Sequence, residues 1–136
     1  AINTRGGLHE QQGNILDITA EYDLDTAKAM FDTGRYLYVG FTCHLTIEKC
    51  LKAVIAEKGE FPPKIHNLID LAMKSGIWDI MDDEHHKFLR ELNPMSITAC
   101  YPDCRSKINT TLTQEYCKQL YFKTKELWTW IKNRLS

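Results

Sequence analysis

The chain has 136 residues, and its 17 Lys and Arg against 18 Asp and Glu give a net charge of −1. That is one domain's worth of sequence, with no global field to draw it onto nucleic acid or an anionic membrane. Apolar residues make up 43% and charged residues 26%, while 7 Gly and 4 Pro are too few for collagen, low complexity or a turn-dense β-sandwich.

The longest apolar runs, such as Ala53 to Ala56, fall far short of the roughly 20 residues that a spanning helix needs. The opening residues lack the basic start and apolar stretch of a secretory signal. Two of the five cysteines, Cys43 and Cys50, sit inside a helical pattern, where thiols behave as small buried hydrophobes. The expectation is a soluble protein of a reducing cytoplasm.

Residues 1–16 read as a polar lead-in loosened by Gly6, Gly7 and Gly13, and residues 17–136 as a single helical domain. From Asp23, a candidate N-cap, the recurrence of Leu24, Ala27, Met30 and Phe31 predicts a helix that ends at Gly34 in the left-handed C′ position. A second helix, expected to be the longest element, runs from Tyr36 to Lys58 with Val39, Cys43, Ile47, Cys50, Leu51 and Val54 on one face. Gly59, Pro62 and Pro63 close it.

A short helix through Leu68, Leu71, Ala72 and Met73 stops at Ser75 and Gly76. Asp82, Asp83 and Glu84 then place negative charge at the start of a helix that buries Phe88, Leu89 and Leu92 and ends at Asn93-Pro94. No period persists from Pro94 to Thr110. Thr111 with Gln114 predicts a capping box for the last helix, whose stripe is Tyr116, Leu120, Leu127 and Ile131. The fold class is therefore all-α: an up-and-down bundle of four long helices plus one short helix.

Within the second helix, His44 and Glu48 lie at i and i+4, with Lys49 and Lys52 beside them. A carboxylate within reach of an imidazole makes either an acid-base pair or a structural hydrogen bond. Lys64, His66 and Asn67 follow two prolines. They either present amides and a cation to an anion such as phosphate, or simply let Asn67 cap the short helix.

The run Asp79, Asp82, Asp83, Glu84, His85, His86 has ligand chemistry, but consecutive histidines on a helix point about 100° apart. Cys100 and Cys104 have the spacing of half a zinc site without a second pair to complete it. No metal or other cofactor is expected. There is also no nucleophile elbow and no phosphate-cradling Gly-rich loop. Trp128 and Trp130, two apart on one helix, predict one core ring and one ring at a partner surface.

The order Asp23-Leu24-x-x-Ala27, Gly34-Arg35-Tyr36, Phe41 to His44, Ile47-Glu48-Lys49-Cys50-Leu51-Lys52-Ala53, Pro63-Lys64-Ile65-His66-Asn67-Leu68 and Tyr101-Pro102-Asp103 resembles the HEPN domain family over about residues 20–134. The resemblance implies a helical bundle that often forms a homodimer and binds nucleotide or RNA in a groove. Many members work beside a minimal nucleotidyltransferase partner in a toxin-antitoxin-like pair. On that analogy Glu48, Lys49, Lys52, Lys64, His66, Tyr101 and Asp103 line the groove.

The chain departs from the pattern in two places. Ribonuclease members carry an Arg and a His separated by four to six residues, and no such pair occurs here. Where relatives commonly read Arg-Tyr-Pro, this chain reads Cys100-Tyr101-Pro102, with Arg105 close enough in sequence to replace the missing cation.

Overall fold

A computed structural model describes residues 4–96 and 112–134, with side chains from residue 11 onward. The described residues form five helices: α1 (Thr4–Asp32), α2 (Tyr36–Glu57), α3 (Leu68–Ser75), α4 (Asp83–Leu92) and α5 (Gln114–Lys132). Single 3₁₀ turns at Trp78–Ile80 and Asn93–Met95 link them. No strand occurs among the described residues, and none of their helices is long and apolar enough to cross a membrane.

Helix α2 is the central element, touching each of the other four helices. Its apolar residues recur around more than one face, and Val39, Cys43, Ile47, Cys50, Leu51, Val54 and Ile55 are all buried. Leu68 and Leu71 of α3, Leu89 and Leu92 of α4, and Leu120, Leu127 and Ile131 of α5 close the same core. Fully burying a side chain of this size is worth about 1.5–3 kcal/mol, so this shared apolar surface holds the bundle together.

Helix α1 differs from the expectation. It begins at Thr4 and spans 29 residues, longer than the 22 of α2, and Asp23 lies inside it instead of capping it. Its first turns carry no large apolar stripe, so periodicity gave no helical signal there. Leu24, Met30 and Phe31 carry the second half of its buried face, while small residues fill the rest: Ala20 and Ala27 are fully buried, and a Cβ built at Gly13 would stand 3.7 Å from the Ala56 side chain. The α1–α2 connection is only Thr33-Gly34-Arg35, with Gly34 at φ 76°, the left-handed geometry expected of a glycine stop.

The other boundaries follow local chemistry. Gly76 at φ 82° ends α3, and the Asp82 carboxylate accepts the His85 N–H at 2.8 Å to start α4. At the start of α5 the cap is Thr113, whose hydroxyl accepts the Tyr116 N–H at 3.2 Å. The predicted Thr111 cap lies outside the described residues.

Trp128 and Trp130 are both half-buried, so neither is a core ring. Lys132 lies over the first at 4.7 Å and Arg134 over the second at 4.6 Å.

Cys43, Cys50 and Cys117 are free and buried. Burial pushes the Cys43 thiol up to about 12 and the Cys117 thiol up to about 11, and it raises Cys50 well above the ordinary range. Thiolate is the reactive form, so these three cysteines are inert in the folded chain. Iodoacetamide at neutral pH should leave all three unmodified in the native protein and label all three after denaturation, read by peptide mass mapping. Native labelling of Cys43 or Cys50 would show that the α2 core opens readily.

Candidate functional site

The middle of α2 places a carboxylate in the interior. Glu48 is 5% exposed, and its neighbour one turn earlier, His44, is fully buried, so the i,i+4 pair is not surface decoration. A buried carboxylate needs compensation, and among the described residues Glu48 has three nearby groups. Lys52 Nζ lies 3.1 Å from Oε2, His66 Nδ1 lies 3.0 Å from Oε1, and His44 Nδ1 stands 3.5 Å from the same Oε1.

These contacts differ in kind. A carboxylate only accepts hydrogen bonds, so His66 must donate its Nδ1–H to Glu48. That tautomer leaves the lone pair on His66 Nε2, and the His66 side chain is 50% exposed. Lys52 donates to the other carboxylate oxygen and balances its charge. His44 stays in polar contact through its Nδ1, with neither ring nitrogen in a well-formed hydrogen bond among the described residues. Desolvation lowers its pKa to about 4, even though Glu48 pulls in the opposite direction, so His44 is neutral at physiological pH.

His66 is carried by the Pro63-to-Asn67 turn that leads into α3. The structure answers the choice left open for this turn, because the α3 amides are already engaged. Asn67 Oδ1 accepts the N–H groups of Ile69 and Asp70 at 3.0 and 3.1 Å, and Asn93 Oδ1 accepts the Leu68 N–H at 2.9 Å. Asn67 is a cap, and the amides are not free to hold an anion. Beside them lies an open groove of about 450 Å³ lined by Ile65, His66, Asn67, Asp70, Asn93 and Ser96.

Of the sequence-predicted site residues, Glu48, Lys52 and His66 converge. Lys49 turns toward α1 instead, where its Nζ lies 2.6 Å from Asp23 Oδ2. Lys64 is exposed, two residues from His66, with no ion pair among the described residues. Tyr101, Asp103 and Arg105 lie outside the described residues, as do Cys100 and Cys104.

Sequence reading missed Asn93, which looked like a helix stop and is a capping side chain for a helix 25 residues earlier. It also missed Asp23 as the partner of Lys49. The Asn-Pro pair was the only signal for the first, and the second had none.

The histidines of the acidic run separate as the helical angle predicts. The His86 ring stacks on Trp78 at 3.7 Å, with Nε2 at 2.8 Å from the Trp78 carbonyl oxygen. His85 packs against Trp130 at 4.7 Å. Among the described residues no group of three His, Cys, Asp or Glu side chains is placed to hold a metal ion.

The low His44 pKa gives stability a definite pH dependence. Below about 6.5 the unfolded chain takes up a proton at His44 while the folded chain does not, until pH approaches 4. The contribution of this group is therefore full above 6.5 and falls by up to about 3 kcal/mol as the pH drops toward 4. Urea unfolding between pH 7 and pH 4 should show this loss, and His44→Leu should remove most of it. An unchanged slope in the variant would place the titration elsewhere.

Comparison with known proteins agrees with the fold and the residue pattern. Neither curated proteins nor solved structures gave a match. A family model for the HEPN domain, however, matches residues 18–134, which takes in all of α2 to α5 and the Glu48–His66 cluster. The chain belongs to the HEPN domain family.

Proposed function

We propose that this HEPN domain is a binding module for a nucleotide or nucleic-acid phosphate, seated at the groove beside His66, and that it acts with a nucleotidyltransferase partner in a toxin-antitoxin-like pair. The observation that carries the reading is the buried Glu48 carboxylate with Lys52 on one oxygen and His66 on the other. Lys52 and Glu48 cancel each other's charge. The carboxylate therefore places no net negative charge behind the groove, and Lys64 adds an exposed positive charge from the same turn as His66. Family membership supports this choice of ligand class and partner, because HEPN domains commonly bind nucleotides and commonly pair with nucleotidyltransferases.

A second reading, a metal-independent ribonuclease, is favoured by one specific feature. A histidine whose tautomer is set by a carboxylate is suited to proton transfer. The Arg and His spacing of ribonuclease members is missing from the chain, so binding without cleavage is the preferred reading. A third, a helical interaction scaffold, leaves the converged polar cluster without a use.

The test is titration of the chain with ATP, GTP and a short single-stranded RNA, followed by titration of Lys64→Ala and His66→Ala. Each substitution should weaken binding about tenfold or more, as expected for loss of a charge-assisted bond. Unchanged affinity in both variants would overturn the groove as the site, and cleavage of the RNA by the wild type but not by His66→Ala would favour the ribonuclease.

A further inference from the structure

We propose that His66 is a nucleophilic histidine, a site at which Nε2 accepts a phosphoryl group from an activated donor such as an acyl phosphate or a phosphoramidate. The inference rests on the Glu48–His66 geometry and not on the identity of the groove's ligand. Imidazole attacks phosphorus through its unprotonated nitrogen, so reactivity depends on which nitrogen is free and whether the donor can reach it. Both conditions are met. The Glu48 carboxylate takes the Nδ1–H at 3.0 Å and leaves Nε2 with its lone pair, and Nε2 has no hydrogen-bond partner among the described residues. The side chain is half exposed and lines an open groove.

The supporting groups are arranged for the step. As Nε2 forms its bond to phosphorus, the bond from phosphorus to the leaving group breaks, and the leaving group departs with the electron pair. The ring becomes a cation that still carries its Nδ1 proton. Glu48 Oε1 faces that proton and stabilises the charge, and Lys52 on Oε2 at 3.1 Å fixes the carboxylate in place. Glu48 and Lys52 form a neutral pair, so the carboxylate does not repel an anionic donor as a lone charge would. Lys64 is exposed on the same turn.

No other histidine whose side chain is described combines these features. His44 is fully buried. His86 stacks on Trp78 with its Nε2 at that residue's carbonyl, and His85, only 21% exposed, packs against Trp130 with its Nδ1 at the longer distance of 3.4 Å from Asp82 Oδ1. Glu48 is a positioning residue in this account, since it acts only through His66.

The experiment treats the full chain at neutral pH with potassium phosphoramidate, which needs no second protein. The acid-labile product is followed by intact mass, located by peptide mapping under alkaline conditions, and its isomer is identified by phosphorus NMR. His66 should be modified about tenfold faster than His85 or His86, on Nε2 and not on Nδ1, and Glu48→Gln should slow it about tenfold through loss of the charge-assisted bond.

His66→Asn should abolish the fast phase. If Glu48→Gln does not fold, as judged by circular dichroism, the wild-type ranking of histidines and the isomer still decide. Equal rates at His66 and His86, or phosphorylation of His66 at Nδ1, would overturn the proposal. Failure of nucleotide titration with rapid His66 modification would count against the binding reading alone.

Discussion

The site depends on a single buried carboxylate. Glu48 projects from the helix that the rest of the bundle packs around, in a region where an unpaired charge would be strongly disfavoured. It is tolerated because Lys52 and His66 each donate to one of its oxygens, with His44 alongside. Replacing such a cluster with apolar residues of similar volume is often neutral or stabilising in proteins, so stability alone is a poor explanation for it. The arrangement instead does something apolar residues cannot: it fixes the proton of His66 on the inner nitrogen and leaves the outer one available.

The bundle supplies the rigidity this requires. Glu48, His44 and Lys52 lie on consecutive turns of α2, whose other faces are packed against α1, α3 and α5, so the carboxylate is delivered from a fixed backbone. His66 comes from a turn, which would be a loose support on its own. Its neighbours are tied down on both sides, by Pro62 and Pro63 before it and by the caps from Asn67 and Asn93 after it. The same caps occupy the amide donors that an anion at the helix start would need, so any phosphate recognition falls to side chains.

Much of the fold was legible because the signals were local. Apolar spacing located α2 to α5 within a few residues, and Gly34, Gly76 and Asp82 acted as their chemistry dictates. The start of α1 was hidden because its sequence carries no periodic apolar stripe, and where it meets α2 the residue is Gly13, which leaves no amphipathic trace.

The site was only half legible. The His44 and Glu48 spacing was visible, but their burial depends on what packs over α2. The hydrogen bond from His66 spans 18 residues of sequence. Lys49 and Lys52 look equivalent in a list of cations, yet three residues on a helix turn a side chain enough to send one to Asp23 and the other to Glu48.

Whether Glu48 holds the His66 proton on Nδ1 can be read from a long-range nitrogen–proton NMR correlation of the histidine side chains in labelled protein. Neutral His66 should show a protonated Nδ1 and an unprotonated Nε2, opposite to the tautomer favoured by a free histidine in water, and Glu48→Gln should weaken that preference. A His66 ring with its proton on Nε2 in the wild-type chain would mean that Glu48 does not set the tautomer.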